Sequence, residues 1–328
     1  MKPDLLNYIV CPVCETPFSC EKTLEKNGEI IEGSLLCKKC NKSYPITKSV
    51  PRIIPVPVGG KQESTADAFG YQWKKFADTN KLYDEEFRDY LKPLTGEHLR
   101  GKIVLDAGCG NGRFISPAVS FNPKVLIAFD LSEAVDVAYE NSKSYRNVHV
   151  IQGDIYNPPF KKNSFDFVYC IAVLHHLPDP KKGFLKLNEY AKSGGTMFGW
   201  VYGKEGNELF LTFIEPLRKY FTVHIPKIIL RPIALVLAGI LWLTVKIIYK
   251  PLNFFNACGF LPMNEYLIFQ TNLGFRYLWL TTFDKLVAPV VHYHTRDEFA
   301  SWFHEAKLKG VNIIQRNGNS WRGYGTKK

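Results

Sequence analysis

The 328-residue sequence has no internal repeat, no low-complexity tract and no apolar signal-peptide core in its opening Met1-Lys2-Pro3-Asp4-Leu5-Leu6-Asn7. The last absence predicts a chain that is not secreted. Eight cysteines are too few and too unevenly placed for a disulfide scaffold. Four of them form two C-x-x-C pairs, which points to metal and a reducing compartment. Acidic residues are missing from 216–250, where Arg218, Lys219, Lys227, Arg231, Lys246 and Lys250 stand. The formal charge of +11 permits contact with nucleic acid, anionic lipid or an acidic partner and selects none of them. The length suffices for a full α/β domain with one or two smaller pieces.

What is present centres on Ile103-Val104-Leu105-Asp106-Ala107-Gly108-Cys109-Gly110-Asn111-Gly112. The apolar run fits a buried strand. Glycines at Gly108, Gly110 and Gly112 let the backbone turn tightly and let a ligand approach it. A strand, a glycine turn and then a helix from Arg113 is how α/β nucleotide sites are built, with the ligand at the carboxyl ends of the strands. The spacing is not the dinucleotide G-x-G-x-x-G, and no Lys-Ser/Thr pair follows as a P-loop requires. Further strands are expected at 125–130, 148–152, 165–170 and 196–202. Asp130 then stands where a carboxylate accepts hydrogen bonds from ribose hydroxyls, and Asp154 where one accepts from an adenine amino group, with Ile155 on the ring.

Near the N-terminus Cys11-Pro12-Val13-Cys14 is answered by Cys37-Lys38-Lys39-Cys40. Two thiolate pairs at this spacing close a tetrahedral site with no open position, so a structural Zn2+ is expected, with Cys20 a spare thiol. Together with Leu5-Leu6, Tyr44-Pro45-Ile46 and Val50-Pro51-Arg52-Ile53-Ile54-Pro55, these pairs make the first 55 or so residues resemble a small zinc-ribbon family. That family includes the activator subunit of tRNA and protein methyltransferases. The resemblance implies a methyltransferase neighbour and no chemistry of the ribbon's own. Metal binding is expected to supply the folding energy of so small a piece, and 55–60 reads as a linker.

The string Val104-Leu105-Asp106-x-Gly108-x-Gly110-x-Gly112, Phe129-Asp130-Leu131-Ser132, Gly153-Asp154, Phe165-Asp166, Leu174-His175-His176-Leu177 and Gly194-Gly195 resembles a class I S-adenosylmethionine-dependent methyltransferase. The resemblance implies a Rossmann-like, doubly wound α/β sheet closed by an antiparallel hairpin. It also implies S-adenosylmethionine as cofactor, with the glycine turn on the methionine moiety, Asp130 on the ribose, and Asp154 with Ile155 on the adenine. Asp106 is carried over as the acid organising the loop, and Cys109 and Leu131 as cofactor-lining positions. His175 and His176 stand where an imidazole of this family lies near cofactor or acceptor; each either serves as general base or fixes a loop. A sulfonium methyl is already activated, so alignment is what the protein must supply, with no dedicated nucleophile.

Outside this core, Phe69-Gly70-Tyr71-Gln72-Trp73 is either an aromatic anchor or a lid in which Tyr71 or Trp73 encloses the sulfonium. Residues 232–245 are 14 uncharged positions between Arg231 and Lys246, short of the roughly 20 that cross a bilayer. The segment reads as a helical cap over the acceptor site, or as an interfacial element with its basic residues on anionic lipid. Thr295 and Glu298 form a capping box for a last helix, and strands at 311–315 and 321–326 flank an Asn-Gly-Asn turn. Tyr202, His292 and His294 are expected near the mouth of the site, as acceptor-binding or packing groups. The expected division is a zinc ribbon (1–58), a lid segment (59–100), the cofactor-binding core (101–204), an apolar insertion (205–280) and a closing helix and hairpin (281–328).

The function expected is methyl transfer to an unidentified acceptor, with a small or lipophilic molecule preferred. RNA or protein methylation is the alternative, supported by the positive charge and the ribbon. Against it, Tyr169-Cys170-Ile171-Ala172 stands where an Asn-Pro-Pro-Tyr-type acceptor motif would. A third reading is a non-catalytic cofactor-binding or membrane-scaffold protein. Peripheral membrane contact is expected through 216–250, at the cytoplasmic, inner face.

Overall fold

The computed structural model describes residues 1–76 and 82–328. The cysteine-bearing segment forms an antiparallel meander of β1 (Ser19–Lys26), β2 (Glu29–Leu36), β3 (Ser43–Thr47) and β4 (Val50–Ile53). Two helices follow, α1 (Gly60–Lys75) and α2 (Leu82–Leu91). The chain then alternates β5 (Ile103–Ala107), α3 (Ile115–Val119), β6 (Val125–Asp130), α4 (Val135–Ser142) and β7 (Val148–Gly153). β8 (Phe165–Cys170), α5 (Pro180–Asn188) and β9 (Ala191–Tyr202) complete the parallel part. These strands read as unbroken apolar runs because both faces are covered. Val104, Leu126, Ala128, Val150 and Tyr169 pack on one side; Leu105, Ile127, Phe129, Ile151 and Val168 pack on the other.

An inserted helical segment interrupts the α/β pattern after β9. It contains α6 (Glu215–Tyr220), α7 (Lys227–Thr244), a π-helical turn (Val245–Tyr249), α8 (Lys250–Phe254), α9 (Asn264–Asn272) and α10 (Phe275–Val287). Lys227–Phe254 runs as one 28-residue helix, the one among the described residues long and apolar enough to cross a membrane. The basic residues do not end it. The Arg231 guanidinium lies 4.9 Å from the Trp279 ring centre and the Lys246 ammonium 4.8 Å from that of Trp242, so each charge is held against an aromatic face within the helical segment.

The chain closes with α11 (Arg296–Glu305), opened by the Thr295/Glu298 capping box, and with β10 (Lys309–Arg316) and β11 (Ser320–Thr326). β11 pairs antiparallel with both β9 and β10. Among the described residues the sheet order is β1-β2-β3-β4-β7-β6-β5-β8-β9-β11-β10. β4 therefore joins the core sheet, parallel to β7 through Arg52–Gln152 and Ile53–Gly153. The carboxyl ends of β5, β6, β7 and β8 share one edge, where the chain order reverses between β5 and β8 and a ligand crevice is expected.

Candidate active site

The glycine turn after β5 adopts a conformation that L side chains resist. Gly108, Gly110 and Gly112 have φ of 86°, 55° and 78°. A Cβ on Gly108 would stand 2.3 Å from Val173 and one on Gly110 2.8 Å from the Trp73 indole nitrogen. Gly112 faces inward, its missing Cβ making room for Ile115 and Ala138. The loop is pinned at both ends: Phe129 O accepts from Gly108 N at 2.8 Å, and Asp130 Oδ2 accepts from Gly110 N at 2.9 Å.

Asp130 also accepts from Ser132 N (2.8 Å) and Ser132 Oγ (2.7 Å) through its other oxygen. Burial pushes its carboxyl up, while the bonds from Ser132 and Gly110 favour the ionised form. Asp154 accepts from Gln62 Nε2 at 2.8 Å, Tyr156 N at 3.0 Å and Asn157 Nδ2 at 2.9 Å. Gln62 belongs to α1, so that helix is tethered across the strand ends. A single cavity runs along Gly108, Cys109, Gly110, Asp130, Leu131, Asp154 and Ile155, under Phe69, Gln72 and Trp73 of α1. Asp106 sits below the loop, 3% exposed and off the cavity wall, its carboxyl pushed up to about 7 by burial with Tyr169 opposing.

The same cavity continues past Ala172, a non-glycine residue at φ 62°, into a chamber roofed by the insertion. Tyr266 and Gln270 of α9 and Tyr277, Thr281 and Asp284 of α10 face Tyr90, Arg113, Trp200, Tyr202 and Arg316. Arg113, just after the glycine turn, stands 3.7 Å from the fully buried Glu86 of α2, which also accepts from the Tyr277 hydroxyl. This relay ties the roof to the loop. Arg316 donates from Nε to Asp89 at 2.7 Å and stacks 3.9 Å from the Tyr90 ring centre. Burial pushes the Asp284 carboxyl up to about 6 and the Lys285 amine down to about 8, each opposed by the other's charge.

The other sequence candidates divide. His176 lines the cavity beside Phe69, with ring centres 4.6 Å apart, and its Nδ1 is 2.8 Å from Val290 O. Burial takes its pKa down to about 3, so it is a neutral imidazole and a weak base. His175 lies behind the wall against Tyr202, at 4.0 Å, with neither ring nitrogen hydrogen-bonded among the described residues. Trp73 and Tyr202 line the cavity, whereas Tyr71 turns away toward Phe283. His292 and His294 also lie outside: backbone bonds from His292 N to His175 O and from His294 N to Tyr202 O hold this segment beside the end of β9, where His294 bridges Gly203. Gln62, Gln72, Glu86, Tyr277, Asp284 and Arg316 carry no local motif that marks them. Arg113 alone had one, its place directly behind the glycines.

At the far end of the sheet the sulfurs of Cys11, Cys14, Cys37 and Cys40 all lie within 4.8 Å of one another. The spread brackets the roughly 3.8 Å edge of a tetrahedron with Zn–S near 2.3 Å, so this donor set fits a thiophilic ion.

The family described as "Methyltransferase domain" matches residues 105–199, and that described as "Trm112p-like protein" matches residues 2–49. A tRNA U34 carboxymethyltransferase of Campylobacter curvus is 30% identical over 133 residues, covering 38% of this chain and 45% of that protein. One from Nautilia profundicola is 29% identical over 143 residues, covering 42% and 48%. The chain thus spans about half the length of these relatives. A crystal structure of a SAM-dependent methyltransferase from Aquifex aeolicus aligns over 79% of this chain and 98% of its own, at TM-score 0.46 and 15% identity. The chain therefore carries a class I S-adenosylmethionine-dependent methyltransferase domain fused to a Trm112-like N-terminal region whose four cysteines are consistent with a zinc-binding motif.

Proposed function

We propose that this protein transfers a methyl group from S-adenosylmethionine to a lipophilic acceptor taken from the surface of an anionic membrane. The observation that carries this reading is that one inserted segment both roofs the chamber and presents most of the exposed large apolar side chains among the described residues. Leu230, Ala234, Ala238, Val245 and Tyr249 form the buried stripe of the long helix, the first of them against α10. Its other faces expose Ile228, Ile229, Ile233, Val236, Ile240, Leu243, Ile247 and Ile248. Lys219, Lys246 and Lys250 are exposed beside them, and no acid occurs between Glu215 and Glu265. An apolar face rimmed by one sign of charge suits the headgroup boundary of an anionic bilayer, with the helix lying in its plane.

When bound, S-adenosylmethionine supplies an activated methyl carried on a sulfonium. Gly108 and Gly110 would cradle its methionine end, Asp130 and Leu131 its ribose, and Asp154 with Ile155 its adenine. Trp73 covers the loop, excluding water and offering a π face to a cation. Asp106 would hold the loop from beneath. His176 orients the wall and moves no proton at neutral pH, leaving proton removal to a group in the chamber. The four cysteines would hold a structural zinc.

RNA is the competing acceptor, supported by the names of the relatives and by the net charge. The discriminating experiment combines flotation on vesicles of phosphatidylcholine with or without phosphatidylglycerol and labelled methyl transfer to membrane-lipid extract or to total tRNA. Flotation with the anionic vesicles, lost in Ile233→Glu/Ile240→Glu, with label in the lipid extract is expected. Label confined to tRNA, or no vesicle binding by folded protein, overturns the membrane-acceptor reading.

A further inference from the structure

The lid helix α1 shares its apolar packing with the insertion. Ala68 and Phe76 of α1, Leu230 and Ala234 of α7, and Tyr277 and Leu280 of α10 belong to one buried cluster, to which no strand among the described residues contributes. Toward the core, α1 reaches the cofactor cavity. Gln62 donates to Asp154 at 2.8 Å, Phe69 packs on His176, and Trp73 stands over Gly110. Opening the cleft by moving α1 alone would strip Ala68 and Phe76 of their apolar neighbours, which the hydrophobic effect opposes. The lid is therefore tied to the helices that carry the exposed apolar face.

Two lines of contact run from α10 to the glycine turn. In one, the Trp279 indole nitrogen donates to Arg231 O of α7 at 3.1 Å, and the Trp279 ring meets Phe76 edge-on at 5.0 Å. The Arg231 guanidinium lies 5.6 Å from the Phe76 ring centre. Phe76 O then accepts from Nδ2 of the buried Asn111 at 2.9 Å. In the other, Tyr277 donates to Glu86, whose carboxylate faces Arg113 at 3.7 Å. Asn111 and Arg113 are the two neighbours of Gly112, so the outer helix and the turn beneath the cofactor share supports on both sides of one glycine.

Resting on the membrane reading above, we propose that anionic bilayer and cofactor bind cooperatively: the bilayer fixes α7 and, through α10 and α1, the lid over the cofactor. A ligand shifts an equilibrium only by binding its two states unequally. With the lid closed, α7 is braced by Trp279 and Phe76, and its outer apolar face is held in one orientation for the bilayer. An open lid leaves α7 without that brace. By linkage, the factor by which the bilayer tightens cofactor binding equals the factor by which the cofactor tightens bilayer binding. Trp279 is a positioning residue: it does not line the cavity and acts through Phe76 and Arg231.

The test uses the full-length protein, S-adenosylhomocysteine, and vesicles of phosphatidylcholine with or without phosphatidylglycerol. S-adenosylhomocysteine is expected to bind at least ~5-fold more tightly with the anionic vesicles present, and affinity for those vesicles to rise by the same factor when it is bound. Phosphatidylcholine vesicles alone should change neither. Trp279→Ala should bring both factors to about one while the affinity for each ligand by itself stays near wild type. Trp279→Phe, which keeps a ring against Phe76, should retain the coupling. Equal affinities with and without anionic vesicles, unequal factors in the two directions, or undiminished coupling in Trp279→Ala overturns the proposal. Should Trp279→Ala fail to fold, the two wild-type factors decide. Protein that binds S-adenosylhomocysteine and vesicles independently removes this proposal and leaves the membrane-acceptor reading standing. Protein that binds S-adenosylhomocysteine but no vesicle removes both.

Discussion

Asp130 shows how one side chain serves both loop and ligand. Its two oxygens already accept from Gly110 N and from Ser132, so the carboxylate sets the loop before any nucleoside arrives. Charge-assisted bonds of this kind contribute about 1.5–3 kcal/mol each. Asp130→Ala is therefore expected to weaken S-adenosylmethionine by roughly 10- to 100-fold in calorimetric titration while circular dichroism stays native. A folded variant with wild-type affinity would remove Asp130 from the site. His176 behaves differently. Its pKa in the fold, about 3, lies below the unfolded value of 6.5, so the unfolded chain takes up its proton first as pH falls. The stability it contributes is whole above pH 6.5 and is lost progressively down to about pH 3, with about 2 kcal/mol gone by pH 5. His176→Gln should flatten that part of a melting-temperature profile between pH 7.5 and 5; an unchanged slope refutes the assignment. The sequence showed both residues but not their environments. Asp130 announced itself at a strand end. Part of the burial that keeps His176 neutral comes from Phe69, more than 100 positions away in the chain, and it prevails over the equally distant Val290 carbonyl, whose bond favours the charged form.

Among elements, the strand–glycine turn–helix unit was legible because its requirements are local: an apolar run long enough for a buried strand and three glycines at φ values other residues avoid. The lid was legible only in part. Trp73 and Tyr71 stand two apart on α1, and helical geometry sends them in different directions, Trp73 over Gly110 and Tyr71 toward Phe283. Which of the two faced the ligand depended on where the helix docks, and that is set by Gln62 reaching Asp154 and Asn111 reaching Phe76 O. Gly110→Ala tests the fit of lid to loop. The added Cβ would meet the indole nitrogen at 2.8 Å at a φ of 55°, a backbone state costing roughly 1–2 kcal/mol for an L residue. Lifting Trp73 should lower S-adenosylmethionine affinity at least ~10-fold, with Trp73 fluorescence losing its response to ligand. Retained affinity would mean that the lid does not cover the cofactor. The length of the apolar helix escaped the sequence because charges were counted as ends, whereas stacked Arg231 and Lys246 are carried along it.

At the scale of the whole molecule, the cysteine-bearing segment and the core are one packing unit although two families describe them. β4 extends the parallel sheet through β7. Leu5, Ile9, Ile30, Tyr44 and Ile53 share a core with Ile127, Phe129 and Phe160. Lys2 Nζ donates to Tyr145 O at 2.5 Å and Val148 O at 3.0 Å, and Val10 N donates to Pro159 O at 2.9 Å. A sequence boundary near residue 58 marks where one motif ends and another begins; it carries no information about which apolar faces meet. Metal at Cys11, Cys14, Cys37 and Cys40 should thus stabilise more than the meander that holds it, because losing the meander exposes Ile127, Phe129 and the β7 edge. Structural zinc contributes on the order of 10 kcal/mol to folds that need it, and 1 kcal/mol moves the melting point of a large domain by about 2–4 °C. Zinc chelation, or Cys37→Ala with Cys40→Ala, is expected to lower a single calorimetric transition by at least ~5 °C, with metal analysis giving one zinc per chain before treatment. Two separate transitions, of which only the smaller responds to chelation, would show instead that the sheet is continuous in geometry and divided in energy.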